Sequence, residues 1–419
     1  MTPSSLKACS VFPKHGRTAS SICLALFLSV ALAQGAFAAW SYDSGARTLT
    51  DSASGWVLAT DGEVGSLTVT GSTAGSGGDV DLASANADCS VSVTAIGNGA
   101  FGSQASLVSI TLPETLTTIG SESFFFCTSL SSVFPLLPDS VTSVGTRAFY
   151  WCTALTGKLT LSNPEAVLHG DESLAGEAFV GTRLVDGELN VPALPANTFW
   201  GCGSLTNVVF AGDRLKSVGS HAFNQCGALR MVSPFLPDTV TNVGERAFYL
   251  CTSLRGKLEL THPNAGINGV EVFPLTAIAA AELNIPALPA YTFWGCGSLT
   301  NVVFTSRRLT SIGELAFCGN ALLRDLYFHG SVPAPGSMAA SAWRDIPSRQ
   351  VNFHIATSQV PDTSSIPFFS QLTPDDVASS EYAALSPRPY GALVVESDRR
   401  HWVSNWKSPL ACTAVIVVR

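Results

Sequence analysis

The sequence predicts a β-rich, right-handed solenoid of short strands and short helical turns, with small β regions at both ends. A phenylalanine returns every 20 to 30 residues between Phe101 and Phe317. Residues 194–210 reappear as residues 288–304 with a single change. Only 13% of the residues are charged, while Gly, Ser, Thr and Val are abundant, a composition suited to short strands and many turns. Together these features indicate stacked structural repeats.

The repeats are also organised in two larger blocks, because four consecutive units were duplicated together. Four phenylalanines match four others at offsets of 99, 99, 94 and 94 residues: Phe124, Phe149, Phe179 and Phe199 in the first block, and Phe223, Phe248, Phe273 and Phe293 in the second. An active site needs one set of groups, whereas a unit that cannot bury its own apolar face must be stacked on others. The duplication therefore predicts architecture rather than chemistry.

Each full unit has the same order of features, as residues 107–127 illustrate. An alternating strand sends Ile110 and Leu112 inward, and Pro113 ends the strand because it has no amide hydrogen to donate to a ladder. A second short apolar pair, a glycine and a Phe-x-x-Cys turn follow. A single unit cannot form a core, so stacking is expected to bury columns of Leu, of Ile or Val, and of Phe.

Two inward columns define the predicted repeat core. Its phenylalanines are Phe101, Phe124, Phe149, Phe199, Phe223, Phe248, Phe293 and Phe317, and its cysteines are Cys127, Cys152, Cys202, Cys226, Cys251 and Cys296. Coils stacked about 4.8 Å apart bring such cysteines within disulfide range. Parallel side chains of one column do not readily adopt the disulfide dihedral angle, however. We therefore expect buried thiols that act as small hydrophobic side chains, with disulfides as the alternative.

The chain is expected to divide into four regions. Residues 1–38 have the pattern of a secretory signal peptide, with a basic start, an apolar run over residues 22–33 and small residues before the cleavage site. The other regions are an N-terminal β cap (39–90), a solenoid of about eleven units (91–356), and a C-terminal flank of short β segments and loop (357–419). An apolar run of about twelve residues is too short to span a membrane as a helix, and no later run is longer, so the mature chain is expected to lack a transmembrane helix.

The repeat unit resembles a known family. The segments "VTSVGTRAFYWCTALTGKLTL", "VTNVGERAFYLCTSLRGKLEL" and "LTSIGELAFCGNALLRDLYF" are similar to the repeats of BspA-type leucine-rich repeat proteins, which are secreted and surface proteins of bacteria. The resemblance covers about residues 91–355, and the units of Phe179 and Phe273 depart from it because they lack the cysteine. It implies a leucine-rich repeat solenoid and, often, adhesion to host or matrix macromolecules.

Aromatic residues are the candidate partner-binding groups. Tyr150, Trp200, Tyr249 and Trp294 directly follow a repeat phenylalanine, while Phe134 and Tyr327 belong to the outward row of the main strands, together with Val209 and Val303. A residue next to an inward ring tends to point outward or sideways, where it would stack on a sugar or anchor a protein. In the alternative interpretation, each ring only covers the edge of the next unit.

No feature of the sequence identifies catalytic chemistry. The net charge of −8 at pH 7 argues against binding of nucleic acid through a basic patch. The chain lacks the motifs of zinc proteases, serine hydrolases and dinucleotide enzymes, and it has no Cys-x-x-Cys pair, so we expect no catalytic residue, metal or cofactor. A polar cluster near the C-terminus is a candidate for hydrolase-like chemistry, although neighbouring charges in a hairpin are usually a solvated turn: Glu396, Asp398, Arg399, Arg400 and His401.

The sequence therefore predicts a secreted or cell-surface, non-enzymatic protein that mediates macromolecular interaction or adhesion through its solenoid surface. The expected partner is an extracellular protein or a glycan, and the sequence specifies neither its identity nor the oligomeric state. Two alternatives are a passive structural component of the cell envelope and a glycan-binding protein that uses the exposed aromatic residues.

Overall fold

Each coil of the chain contributes one longer and one shorter β-strand, and successive coils pair in parallel. The structure, a computed structural model, describes residues 40–73, 78–170, 176–329, 333, 337–346, 351–356, 390–396 and 414–416. In the last three strands it describes only the side chains of Val351 and His354. Among the described residues there is one α-helix, α1 (Leu82–Cys89), and one short 3-10 helix, Ala340–Trp343. The segments between strands are otherwise turns, because a coil of 20 to 30 residues leaves little length for a helix.

The described residues form 28 strands. The first fourteen are β1 (Trp40–Asp43), β2 (Thr48–Asp51), β3 (Val57–Glu63), β4 (Ser66–Thr73), β5 (Asp79–Asp81), β6 (Val93–Ile96), β7 (Ser109–Thr111), β8 (Thr118–Ile119), β9 (Ser132–Phe134), β10 (Ser143–Val144), β11 (Thr156–Leu161), β12 (Val167–Leu168), β13 (Arg183–Leu189) and β14 (Ala193–Leu194). The others are β15 (Asn207–Phe210), β16 (Ser217–Val218), β17 (Met231–Ser233), β18 (Asn242–Gly244), β19 (Arg255–Leu260), β20 (Gly266–Asn268), β21 (Ala277–Leu283), β22 (Ala287–Leu288), β23 (Asn301–Phe304), β24 (Ser311–Ile312), β25 (Asp325–Phe328), β26 (Val351–Ala356), β27 (Tyr390–Glu396) and β28 (Ala414–Ile416).

The strands form two ladders that run along the stack. The longer strands pair as β5-β7-β9, β11-β13-β15-β17 and β19-β21-β23-β25-β26-β27, to which β28 adds antiparallel. The shorter strands pair as β6-β8-β10-β12, β14-β16-β18-β20 and β22-β24. The longer ladder is interrupted after β9 and after β17, which are equivalent strands of the two blocks, and each is followed by a cis proline. The two blocks thus share backbone detail as well as sequence.

The N-terminal residues form an antiparallel meander that continues into the shorter ladder. Strands β1 to β4 pair in order, and β4 pairs in parallel with β6. The buried ring of Trp56 meets Phe101 edge-on, with centroids 6.3 Å apart. Helix α1 begins at Asp81, whose side chain accepts a hydrogen bond from the amide of Ser84, and ends at Ser90 in the left-handed conformation.

A stack of eleven buried rings runs through the coils. Ten successive ring pairs have centroids 5.0–5.9 Å apart and interplanar angles of 6–16°, from Phe101 through Phe317 to Trp343. All eight predicted core phenylalanines, with Phe179 and Phe273, are fully buried members of this stack. Each ring pair contributes roughly 0.5–1.5 kcal/mol beyond the burial of apolar area. The solenoid therefore has about eleven coils that share one continuous core.

The turn around each ring has a fixed backbone conformation. The amide of the ring residue donates to the carbonyl before the next ring, as from Phe223 to Ala247 (2.8 Å) and from Phe248 to Val272 (2.9 Å). The residue two positions after each ring has a positive φ in every coil, from Ser103 to Asp345. This region favours glycine, and Gly201 is one of several glycines that occupy the position.

A second set of glycines is required by close packing between coils rather than by positive φ. A Cβ atom on Gly244 would lie 2.5 Å from the backbone nitrogen of Ser220 in the preceding coil, and one on Gly219 would lie 2.5 Å from that of Ala196. Gly120, Gly145 and Gly313 hold the same register and meet similar obstacles. These positions fix how closely two coils approach.

Candidate interaction surface

The predicted partner-binding residues occupy two different positions of the coil. Tyr150, Trp200, Tyr249 and Trp294 lie in turns, directly after buried rings, whereas Phe134 and Tyr327 lie on strands β9 and β25. The side chain of Phe134 is 62% exposed and that of Trp200 is 38% exposed, while the other four are half-buried. The turn positions of other coils carry Val180, Asn224 and Pro274, so the aromatic residues do not form one continuous row.

Two of the turn aromatics lie against arginines of their own coils. The guanidinium carbon of Arg147 lies 5.5 Å from the ring centroid of Tyr150, and that of Arg246 lies 5.8 Å from the centroid of Tyr249. Because the two pairs are equivalent positions of the duplicated blocks, the contact was copied with the fold. These cation–π contacts cover part of both tyrosine rings.

The same arginines are held by carboxylates of the next coil. Arg147 Nε lies 2.5 Å from Glu177 Oε2, and Arg246 pairs in the same way with Glu271. The hydrogen bond that each arginine donates to its glutamate raises the pKa of the arginine, with the electrostatic attraction adding to it. Both guanidinium groups are therefore charged and already paired within the solenoid.

The outward face of the longer strands carries a second duplicated polar contact. Lys158 Nζ lies 2.6 Å from Glu188 Oε2 between β11 and β13, and Lys257 Nζ lies 2.6 Å from Glu282 Oε2 between β19 and β21. Glu259 adds a further contact to Lys257 at 2.7 Å. This face is thus a polar surface on which apolar side chains stand out.

Val303 belongs to the outward row of this face but is buried. Its copy Val209 is 40% exposed, whereas Val303 is 6% exposed. The neighbour of Val209 on the next strand is Ser233, while the neighbour of Val303 is Tyr327, whose ring stacks on His354 at 4.1 Å. The larger side chain covers Val303, so identical sequence segments present different surfaces.

The sequence analysis missed two exposed aromatic residues, Phe126 and Trp151. They are 40% and 45% exposed and lie two positions after a stacked ring, at the position with positive φ. Their rings are nearly parallel, with centroids 6.1 Å apart. The available signal was the run of three aromatic residues before the cysteine, in "FFFC" and "FYWC", where only the first ring is needed for the core.

The six predicted core cysteines are buried free thiols, and the disulfide alternative does not hold. Each thiol donates a hydrogen bond of 2.9–3.1 Å to the carbonyl of the ring residue in the preceding coil: Cys127 to Phe101, Cys152 to Phe124, Cys202 to Phe179, Cys226 to Phe199, Cys251 to Phe223 and Cys296 to Phe273. Burial raises the pKa of Cys127 to about 12 and those of Cys202 and Cys296 to about 11. Thiols of this kind are poor nucleophiles at neutral pH.

The described residues provide no group of His, Cys, Asp and Glu side chains suited to a metal ion. Within the same part of the chain, no helix has the length and apolar character that crossing a membrane requires. The predicted signal peptide (1–38) lies outside the described residues, as do Asp398, Arg399, Arg400, His401 and the side chain of Glu396.

Comparison with known proteins identifies the repeat. The sequence profile described as the BspA type leucine-rich repeat region matches six copies, over residues 85–167, 192–262 and 235–339. These ranges include more than half of the chain. None of the curated proteins matches the chain.

Several solved structures are similar to the chain at low sequence identity. A leucine-rich repeat protein from Bacteroides ovatus is 20% identical with a TM-score of 0.44, and the match covers 73% of this chain and 95% of that one. A leucine-rich cell surface protein from Faecalibacterium prausnitzii is 17% identical with a TM-score of 0.37, over 88% of this chain and 97% of that one. The pneumococcal vaccine antigen PcpA is 12% identical with a TM-score of 0.33, over 87% of this chain and all of that one.

Proposed function

The chain belongs to the BspA type leucine-rich repeat family, and we propose that it is a non-enzymatic protein outside the cytoplasm that binds a macromolecule through its solenoid surface. Repeat proteins of this architecture present extended surfaces that suit large partners. A secreted or cell-surface location is supported by the signal-like pattern of residues 1–38 and by the family resemblance. Adhesion is the role we propose for this binding.

The observation that carries the proposal is the exposure of apolar side chains on the outward sheet face. Phe134 on β9, Val209 on β15 and Met231 on β17 are exposed, the last by 50%. Val209 and Met231 lie on paired strands, and contiguous apolar patches rimmed by polar residues are typical of interaction surfaces. The equivalent strand positions of other coils carry Ser233 in place of Phe134 and Asp325 in place of Met231. The fold therefore does not require an apolar side chain at Phe134 or Met231, which supports a binding role for these two residues.

We propose the same division of the chain as the sequence analysis, with a cap at 39–90, the solenoid at 91–356 and a flank at 357–419. The contact between Trp56 and Phe101 supports the cap, because it covers the face of the first ring that has no preceding coil. The six aromatic candidates also remain proposed contact residues, and Phe134 and Trp200 are the most accessible of them.

Solid-phase binding of the full chain to a panel of immobilised extracellular matrix proteins and oligosaccharides tests the proposal. The decisive variant is Phe134→Ser with Met231→Asp, which installs the polar residues that equivalent coils carry. We expect the wild-type chain to be retained on at least one surface and the double variant to bind at least about tenfold more weakly, as loss of a hot-spot residue does.

A matched control exchanges a polar residue between equivalent coils. Glu259→Thr gives the second block the residue found at Thr160, and we expect it to leave retention unchanged. All three proteins should have the same urea unfolding midpoint. Absence of retention on every surface, with the fold intact, would contradict the proposed function and would favour a passive structural role.

A further inference from the structure

We propose that Phe125, Phe126, Tyr150 and Trp151 form a docking site for a neutral saccharide; we call this four-ring cluster the aromatic step. The inference rests on the proposed function, because it assigns one ligand class to one place on the solenoid surface. It concerns the turn side of the coil, apart from the sheet face that carries Phe134.

The four rings form two short stacks side by side across two coils. Phe125 stacks on Tyr150 with centroids 5.4 Å apart and an interplanar angle of 13°. Phe126 stacks on Trp151 with centroids 6.1 Å apart and an angle of 5°. Phe125 meets Phe126 at 61° and 4.6 Å, which joins the stacks into one cluster. The cluster is therefore a preformed surface rather than a set of independent side chains.

The second block shows that the fold does not need these rings. The positions equivalent to the aromatic step carry Asn224, Gln225, Tyr249 and Leu250, so three of the four rings are absent from the copy. The backbone turn is the same there, since Gln225 and Leu250 also have positive φ. Core packing thus does not explain the aromatic residues of the first block.

Two of the rings stand on backbone positions that disfavour them. Phe126 and Trp151 both have φ of 55°, a region that bulky side chains rarely occupy. Gly201 and Gly295 fill the same position in other coils. An exposed aromatic residue kept where glycine fits better points to a function for the side chain.

The shape around the aromatic step suits a flat ligand. The preceding coil carries Gly102 and Ser103 at the equivalent positions, so small residues border the rings on that side. On the other side the ring of Trp151 rests on Gly181, where a Cβ would be 3.6–3.7 Å from its atoms. Thr128 is an exposed hydroxyl next to the cluster in sequence. Apolar ring surface bordered by hydroxyls matches a sugar, whose C–H groups face a ring while its hydroxyls face the rim.

The charge of the neighbouring side chains and the exposed area of the rings indicate which class of ligand the aromatic step can bind. Arg147, whose guanidinium carbon lies 5.5 Å from the ring centroid of Tyr150, is held by Glu177 at 2.5 Å and by Glu122 at 3.6 Å, so its charge is already neutralised within the solenoid and does not favour an anionic polymer. With exposures of 40% and 45%, Phe126 and Trp151 present on the order of 200 Å². A stable protein interface needs about 800 Å² from each partner. The aromatic step is too small for a protein partner or a second copy by itself, but it is sufficient for one or two sugar rings.

Isothermal titration of the full chain with cellohexaose, chitohexaose and mannohexaose tests the inference. The decisive variant is Phe126→Gly with Trp151→Gly, because glycine adopts positive φ without strain and should preserve the fold. We expect at least one oligosaccharide to bind the wild type and the variant to lose at least about tenfold in affinity with an unchanged unfolding midpoint. The matched control, Gln225→Gly with Leu250→Gly in the second block, should bind as the wild type does.

A second experiment tests for a gain of binding when the aromatic residues are transferred to the second block. The triple variant Asn224→Phe, Gln225→Phe, Leu250→Trp builds the aromatic step on the second block, and we expect two binding sites in place of one. If the grafted chain does not fold, the variant Phe126→Gly with Trp151→Gly still tests the inference. The inference is overturned if no oligosaccharide binds the wild type, if the glycine pair binds as well as the wild type, or if the glycine pair affects only a protein ligand. If the saccharide site is overturned but a matrix protein still retains the wild type, the proposed function remains supported. If no surface retains the wild type, both the saccharide site and the proposed function are contradicted.

Discussion

The thiol of Cys226 donates a hydrogen bond to the carbonyl oxygen of Phe199, one coil earlier, at 3.1 Å. In the last coils the position three residues after the ring is Asn320, whose amide nitrogen donates to the carbonyl of Phe293 at 2.9 Å. A thiol and an amide share the ability to donate, whereas their hydrophobicity differs. The cysteine column therefore gives a second donor to buried carbonyl groups such as that of Phe199, which also accepts from the amide of Cys202 (3.0 Å), in addition to filling space as a small hydrophobic side chain.

Replacing Cys226 by alanine tests this hydrogen bond. Cys226→Ala removes the thiol donor but leaves the carbonyl of Phe199 with the amide of Cys202 as a donor (3.0 Å), so the loss of one net hydrogen bond costs about 0.5–1.5 kcal/mol. We expect the free energy of unfolding to fall by that amount in urea titrations monitored by circular dichroism. Cys89→Ala is the control, because Cys89 is half-buried and outside the column. Equal effects of the two substitutions would show that the hydrogen bond contributes nothing.

The raised pKa values of the thiols predict a loss of stability at alkaline pH. The thiol of an unfolded cysteine has its ordinary pKa of 9.0, whereas burial raises the pKa of Cys127 to about 12 and that of Cys202 to about 11. Above pH 9 the unfolded state therefore binds fewer protons than the folded state, and the free energy of unfolding decreases with pH until the folded thiols ionise. The slope is at most about 1.4 kcal/mol per pH unit for each thiol.

Urea midpoints measured between pH 7 and pH 11 check this prediction. The variant Cys202→Ser with Cys296→Ser removes two of the titrating thiols, and we expect its midpoint to depend less steeply on pH above 9. If the slope of the variant equals that of the wild type, the alkaline loss has another origin, such as tyrosine or lysine ionisation.

The close approach of coils at Gly244 predicts that alanine is not tolerated there. A Cβ at this position would lie 2.5 Å from the nitrogen of Ser220, so Gly244→Ala forces two coils apart. We expect a loss of about 1–3 kcal/mol, the range found for overpacking. Gly203→Ala is the matched control, because no atom lies within 4 Å of its Cβ position and it should be nearly neutral. Thermal unfolding of both variants distinguishes the two outcomes.

The ring stack predicts a large effect of Phe248→Ala. This ring is fully buried between Phe223 and Phe273, at centroid distances of 5.2 and 5.3 Å. Truncation should reduce the free energy of unfolding by about 3–5 kcal/mol. Phe134→Ala, on the exposed face, should change it by less than about 0.5 kcal/mol. Similar losses for both variants would contradict the stack as the main source of stability.

Sequence alone predicts the repeat because burial is periodic. Strand alternation predicts that Ile110 points inward, and the spacing of the repeats predicts the position of Gly244. Trp343 is recognisable as a core ring because it stands where the other units have their phenylalanine. These features depend on contacts between equivalent positions of adjacent coils, so one unit predicts the next. The family was recognised for the same reason.

The surface is less predictable, because exposure depends on neighbours in adjacent coils. Val209 and Val303 lie in identical segments, yet a serine leaves one exposed and a tyrosine covers the other. The positive φ of Phe126 and Trp151 also cannot be read from one unit, since the position accepts Ser, Gly, Gln or Leu elsewhere.

Site-specific photo-crosslinking most directly tests the claim that the aromatic surfaces of the first block contact a partner. The full chain carries benzoylphenylalanine in place of Phe126 or Phe134, or in place of Gln225 or Glu259 in the second block. It is irradiated on each immobilised protein or oligosaccharide surface that retains the wild type. We predict light-dependent adducts from the first two positions and none from the last two. Equal yields from both blocks, or no adduct from any position, would contradict the account.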